Sequence, residues 1–167
     1  MKNKGILVAA FVLAFLAGKT AEAYADVRTY MLVPNIPGSS TDAQHDGWIE
    51  VWSMSQGASS TRRSVACSDF SVMKTLDQAG PALWGAAAAG QVFPQIRVEV
   101  VKSGEKPIVI YDVRLNNARV TSIQMSGSSE IPMESVSFSY QSLTLTFNQQ
   151  TDTGAIIPGT PQTINCQ

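Results

Sequence analysis

The single histidine, His45, is the residue best suited to acid–base or nucleophilic chemistry in this sequence. In a catalytic triad its imidazole would activate a serine, with Asp42 or Asp46 as the orienting carboxylate. The sequence has no Gly-x-Ser-x-Gly nucleophile elbow. A histidine beside aspartates in a polar loop is more typical of a solvated residue. The sequence therefore predicts no catalytic site and no enzyme.

Metal, glycoside and nucleotide chemistry find equally little support. One histidine and two distant cysteines do not make a His/Cys metal cluster. The carboxylate pairs Asp69 with Asp77 and Glu130 with Glu134 have the chemistry of a glycosidase, but nothing distinguishes them from surface residues. No glycine-rich loop precedes a helix, so we expect no nucleotide site and no cofactor.

The composition also limits the partners. The chain has a net charge of −1 and no basic stripe, which argues against nucleic acid and anionic lipid. Trp48, Trp52 and Trp84 offer an aromatic patch for a ligand. Tryptophans at this frequency are more typical of a core or a subunit interface.

The N-terminus has the layout of a secretory signal peptide. Lys2 and Lys4 precede an apolar run over residues 6–17, and small residues follow at Ala23 and Ala25. The run is shorter than the ~20 residues that span a bilayer; the alternatives are an uncleaved anchor and an interfacial helix. Cleavage after Ala25 would leave residues 26–167 as one exported domain without a membrane span.

Both cysteines, Cys67 and Cys166, lie in the exported part of the chain. In an oxidising compartment, an even pair of distant cysteines favours a disulfide. The alternative is two unpaired or buried thiols, since the sequence does not supply the Cα separation that decides between them.

The elements that must position these residues are mostly strands. Period-two alternation predicts them over residues 27–33, 48–56, 68–73, 92–102, 108–125 and 135–148. Residues 76–90 form the one good helix, with Pro81 in its first turn and Gly90 at its end. Leu83, Ala86 and Ala87 are spaced to bury one helix face.

The remaining segments are predicted as irregular. Residues 58–63 indicate a loop, and residues 149–167 an extended arm. Within residues 135–148 the apolar positions change parity, which implies a bulge near Gln141 and Ser142. Strands at this spacing with one helix predict a closed or nearly closed β-barrel.

The order of several short motifs resembles that of the Hcp family, the tube-forming proteins of type VI secretion systems. The matching segments are residues 36–38 with His45, residues 48–57, residues 77–94 and residues 132–140. The family has aromatic residues where this chain has Met54 and Gln56. No segment is a strict motif, but the ordered set covers nearly all of residues 26–167.

This resemblance implies a mainly β fold: an Hcp-like β-barrel of two antiparallel sheets with one short α-helix on its side. It also implies a structural component that assembles into hexameric rings, which stack into tubes and carry or chaperone effector proteins. Ser55 corresponds to a serine that faces the lumen and contacts cargo. The loop with Pro37, Gly38, His45 and Gly47 corresponds to one that helps rings to stack.

The signal peptide is a departure from this family, whose members leave the cell through the apparatus itself. It implies a periplasmic or secreted protein. The alternative function is a monomeric, secreted or periplasmic β-barrel binding module without a role in a tube. A secreted hydrolase is disfavoured because the chain offers only one histidine.

Overall fold

The computed structural model describes residues 26–60, 64–104, 106–127, 131–151 and 153–166. The predicted signal peptide and Glu130 lie outside these residues. The elements in chain order are β1 Val27–Leu32, β2 Ile49–Val51, β3 Ser53–Ser55, β4 Ala58–Ser60, β5 Val65–Cys67, β6 Phe70–Thr75, α1 Ala79–Ala89, β7 Val92–Lys102, β8 Ile108–Ser126, β9 Met133–Ser139, β10 Ser142–Phe147, β11 Gln149–Gln150, β12 Ile156–Ile157 and β13 Gln162–Asn165.

The principal sheet has nine antiparallel strands in the order β2-β1-β7-β8-β9-β6-β3, with β10 on β8 and β13 on β10. Its two end strands, β2 and β3, are consecutive in the chain and separated only by Trp52. The Trp52 N–H donates to the Met73 carbonyl at 2.8 Å as the chain passes from one edge of the sheet to the other. The sheet therefore curls into a barrel, which confirms the predicted fold class. Two small two-stranded sheets, β4-β5 and β11-β12, accompany it.

Besides β7, the long strand β8 pairs with two different strands, one along each half of its length. It bends at Asn117, which has φ 49°. On one side of this bend β8 pairs with β10, and on the other side it pairs with β9. The predicted change of parity is correct, because Phe138 on β9 and Leu143 on β10 are both fully buried. The chain achieves it with a break between two strands at Tyr140 and Gln141, rather than with a bulge inside one.

The helix α1 confirms the prediction from its proline and glycine, although it begins at Ala79 rather than near Leu76. Gly90 ends it in the left-handed conformation, with φ 60°. Leu83 and Ala86 are buried and Ala87 half-buried, so the predicted face packs on the barrel. This packing supplies the stability that a three-turn helix lacks in water.

Three predicted segments are wrong in detail. Residues 48–56 are not one strand, because β2 pairs with β1 whereas β3 pairs with β6. Residues 58–60 of the predicted 58–63 loop form β4, which pairs with β5, and residues 61–63 lie outside the described part of the chain. Residues 149–167 are not an extended arm, because they contain the β11-β12 hairpin and β13, which pairs with β10. In each case a pairing with another part of the chain sets the local structure.

Side chains from the barrel strands and α1 form one apolar core. It includes Met31, Ile49, Phe70, Val72, Leu83, Phe93, Ile96, Val98, Val113, Leu115, Val136, Phe138 and Leu143. Among the described residues, no helix has the length and apolarity needed to cross a membrane.

Candidate functional site

The polar segment between β1 and β2, residues 35–48, is a closed loop held by its own backbone. The Gly38 N–H donates to the Gly47 carbonyl at 2.8 Å, and the Gly47 N–H donates to the Ser40 carbonyl at 2.9 Å. The Ser40 N–H in turn donates to the Trp48 carbonyl at 3.0 Å. Gly47 has φ 71°, a conformation that side chains disfavour. We call this segment the 35–48 loop.

Gly38 brings the loop against the start of β2. A Cβ atom there would lie 2.3 Å from the Trp48 carbonyl oxygen and 2.5 Å from the Ile49 Cα atom. The Gly38 carbonyl also accepts a hydrogen bond from the Gln78 side-chain amide. Because Gln78 is the residue before α1, this bond joins the loop to the start of the helix.

His45 is buried, with 2% of its surface exposed, so the prediction of a solvated histidine is wrong. Its ring stacks on the Tyr30 ring with 4.3 Å between centroids. Nδ1 lies 2.8 Å from a carboxylate oxygen of Asp42, and Nε2 lies 2.8 Å from one of Glu99. The imidazole therefore links the loop to β7. Both ring nitrogens face carboxylates and the ring is buried against Tyr30, which is the geometry of a structural residue.

A row of charges continues from Glu99 across the barrel wall. Glu99 accepts from Arg97 at 2.6 Å, and Arg97 also contacts Asp112 at 3.1 Å. Arg114 contacts the same Asp112 at 2.9 Å. Burial alone would raise the pKa of Asp112, but the hydrogen bonds from the two guanidinium groups outweigh it and hold that pKa below its usual value.

The other end of the row is Asp42. The hydrogen bond from His45 lowers the pKa of Asp42, with further help from the backbone N–H of Gln44. Asp42 is thus stabilised as a carboxylate at the tip of the loop.

A second buried charge cluster joins the start of α1 to β6 and β9. Lys74 on β6 is fully buried, and its Nζ lies 2.7 Å from both Glu134 and Asp77. It also donates to the Thr75 carbonyl at 2.8 Å. The other carboxylate oxygen of Glu134 accepts from the Trp84 indole N–H at 3.2 Å. Asp77 and Glu134, one from each of the two carboxylate pairs considered in the sequence, are therefore partners of a lysine.

The tryptophans are not core residues. Trp52 is 68% exposed and Trp84 is 46% exposed, while Trp48 is half-buried and meets the His45 ring edge-on. Asp69, the remaining acidic candidate, accepts from the Thr121 hydroxyl at 2.6 Å. Among the residues that the structure describes, no group of His, Cys, Asp or Glu side chains is arranged to hold a metal ion.

Ser55 is exposed and is the last residue of β3, the strand at one end of the principal sheet's strand order. A cavity of about 150 Å³ lies beside it, lined mainly by apolar side chains from four strands. Next along the chain, the Gln56 amide donates to the Tyr140 hydroxyl at 3.2 Å, which donates to the Ser68 carbonyl at 3.0 Å. Burial raises the pKa of Tyr140.

Cys67 and Cys166 form a disulfide, with 5.5 Å between their Cα atoms. Cys67 ends β5 at the base of the β4-β5 hairpin, and Cys166 follows β13. The bond therefore ties an exposed hairpin to the strand that lies against β10.

Comparison with known protein families gives one match, which covers most of the chain. Residues 30–147 match the family described as "Type VI secretion system effector, Hcp". The chain belongs to the Hcp family. The matched region begins in β1, contains the 35–48 loop, Ser55 and α1, and ends with β10. The comparison with curated proteins gives no match.

Solved structures of type VI secretion system proteins share the fold of this chain. A type six secretion system protein is 26% identical, with a TM-score of 0.78 over 84% of this chain and 96% of that chain. Hcp1 from Salmonella typhimurium is 22% identical, with a TM-score of 0.70 over 83% and 94% of the two chains. A type VI secretion system effector from Yersinia pestis is 20% identical, with a TM-score of 0.68 over 82% and 98%.

Membership confirms the prediction of a structural protein of the type VI secretion kind. Hcp proteins are tube components, and the family is not an enzyme family. Sequence reasoning singled out His45 but missed the residues that hold it, Tyr30 and Glu99, and it missed Lys74 altogether.

Proposed function

We propose that this Hcp-family chain assembles into hexameric rings, and that the rings stack into a tube of a type VI secretion-like apparatus. The observation that carries the proposal is the family match, which extends over residues 30–147 and includes both the barrel and the 35–48 loop. Head-to-tail contacts between copies close into a ring when the rotation between neighbours divides a full turn. A ring needs no active site, in keeping with a structural family.

The 35–48 loop is the proposed ring-stacking element, with Pro37, Gly38, His45 and Gly47 in different roles. Pro37 is exposed and available to a neighbouring ring, whereas Gly38 and His45 are buried. Gly47 supplies the turn that returns the chain to β2. The buried residues thus fix the shape of a surface that Pro37 presents. Exchanging Pro37 for Asp should leave rings intact and shorten stacks, while Pro158→Asp, another exposed proline, should leave both unchanged.

Ser55 is the proposed cargo contact in the lumen. Its hydroxyl is exposed on a strand that pairs on one side only within the principal sheet. Effector proteins carried through the ring would meet this surface. We expect Ser55→Gln to weaken cargo binding and to leave the ring intact, whereas Ser60→Gln on β4 should do neither. Loss of the ring in Ser55→Gln would contradict the lumen assignment.

The route of export completes the proposal. Removal of residues 1–25 by a signal peptidase would deliver residues 26–167, as one domain, to the periplasm or the medium. A disulfide between Cys67 and Cys166 suits such an oxidising compartment. N-terminal sequencing of the exported protein should give Asp26 as the first residue. A protein that keeps Met1 would contradict the cleavage.

The decisive measurement is the mass of residues 26–167 by light scattering without reductant, followed by negative-stain imaging. The proposal predicts a particle of six copies with an open centre. A monomer at high concentration would contradict the assembly and favour a secreted β-barrel binding module.

A further inference from the structure

The two ring nitrogens of His45 face two different carboxylates. Each nitrogen lies 2.8 Å from a carboxylate oxygen, Asp42 on one side and Glu99 on the other. An ionised carboxylate only accepts hydrogen bonds, and a neutral imidazole carries a single N–H. Both bonds therefore form together only when the ring carries two protons. A neutral ring satisfies one carboxylate and turns a lone pair toward the other.

We propose that His45 is a proton-dependent latch that holds the 35–48 loop on the barrel. The protonated ring joins Asp42 in the loop to Glu99 on β7 with two charge-assisted hydrogen bonds. Loss of one proton removes one of them, and the loop is held less firmly as the pH rises. Since the loop is the proposed stacking element, ring stacking would weaken with it; this consequence rests on the function proposed above.

The charged groups around His45 come from every element beneath the loop. Glu50 on β2 and Glu99 on β7 lie directly opposite Tyr30 on β1, one on each side. Asp112 on β8 lies opposite Glu99 in turn, so a row of acidic groups crosses the barrel wall under the loop. This row places carboxylates beside the imidazole on the barrel side, and Glu99 is the one in contact with it.

The opposing cations are the guanidinium groups of Arg97 and Arg114. Arg97 bonds to Glu99 at 2.6 Å and to Asp112, and Arg114 bonds to Asp112. Glu99 therefore keeps one partner when His45 is neutral, which spares it from being left buried and unpaired. The neutral tautomer that keeps its proton on Nδ1 loses the link between loop and barrel, while the rest of the charge network remains.

The remaining bonds of Asp42 are local. Its carboxylate accepts from the backbone N–H groups of Gln44 at 3.0 Å and of His45 at 3.1 Å, both within the loop. These bonds preserve the turn at the loop tip but do not reach β7. The hydrogen bond from Nε2 to Glu99 is thus the one that couples the loop tip to the barrel.

Amide hydrogen exchange of residues 26–167 between pH 5 and 9, corrected for the intrinsic exchange rate, tests the latch. Protection of the 35–48 amides should fall roughly tenfold or more as the pH rises, as expected for losing a charge-assisted hydrogen bond. The α1 amides are the internal control. Because His45 is the only histidine, NMR of an untagged chain reports its protonation directly. Loop protection that does not follow this titration would overturn the proposal.

Two variants separate the proton from the fold. His45→Gln keeps a polar side chain that does not titrate, so protection of the loop should become independent of pH. Glu99→Gln supplies an amide N–H to a neutral ring, which should remove or reverse the dependence. A dependence identical to wild type in either variant would overturn the latch. Sedimentation of the particles over the same pH range tests the stacking role: an unchanged size with a working latch would overturn that role alone.

Discussion

Removal of the disulfide should lower the stability of this protein more than any single surface change. The cysteines Cys67 and Cys166 are separated by 99 positions in the sequence. In the chain-entropy model, closing a loop of this length lowers the entropy of the unfolded chain by an amount worth about 4.7 kcal/mol at 25 °C. The double variant Cys67→Ala/Cys166→Ala should therefore lose most of this stability.

Urea unfolding of residues 26–167 measures the loss. Reduction of the wild type should reproduce the double variant, and Ser59→Ala on the same hairpin should be nearly neutral. The release of an unfolded-state constraint should also increase the dependence of the unfolding free energy on urea, since the unfolded chain expands. A loss under about 1 kcal/mol with an unchanged urea dependence would refute the reasoning that the bond acts through the unfolded chain.

Three further predictions concern buried polar and tight positions. Lys74→Met should cost about 3–5 kcal/mol in urea unfolding because it leaves Glu134 buried without its cation; adding Glu134→Gln should restore part of this, and an additive second loss would contradict the coupling. Gly38→Ala should cost about 1–3 kcal/mol because the new Cβ meets the backbone at the start of β2, whereas Gly104→Ala, with open space around it, should be neutral in the same assay. Asp42 has a pKa below its ordinary 3.8, so its contribution to stability is present above that pH and is lost as the pH falls through the lowered value; Asp42→Asn should flatten this part of the acid denaturation profile, and an unchanged profile would show that the shift is not linked to folding.

The fold could be predicted where local signals are strong. Gly90 and Pro81 indicated α1, and the strands over residues 92–102 and 108–125 were found almost to the residue because their apolar alternation is long. The sequence could not predict that residues 48–56 divide into two strands at Trp52. Both halves have strand character, and only their different pairing partners separate them. The same holds for β13, which has little apolar pattern and is defined by its pairing with β10.

The polar interior could be predicted only in part. Phe70, Val72 and Lys74 share one face of β6, so a lysine stands at a buried position of the alternation. That pattern was a usable signal for a buried ion pair, because an isolated buried ammonium is too costly to persist. Glu99 gives no such signal, because it stands between Val98 and Val100 at a polar position of the β7 alternation. The partner of each charge depends on tertiary structure, and no spacing along the chain identifies it.

Directional bonds act together with apolar burial to position the two elements that flank the barrel. The 35–48 loop is mostly polar and contributes Ile36 to the apolar core, and α1 buries a narrow face that includes Leu83 and Ala86. His45 fixes the loop to Glu99, and Lys74 fixes the start of α1 to β6 and β9 through Asp77 and Glu134. Buried ion pairs add little net stability compared with apolar residues of the same size. Their geometry is nevertheless specific, so we expect variants of these residues to change the position of the loop and the helix as well as the stability of the barrel.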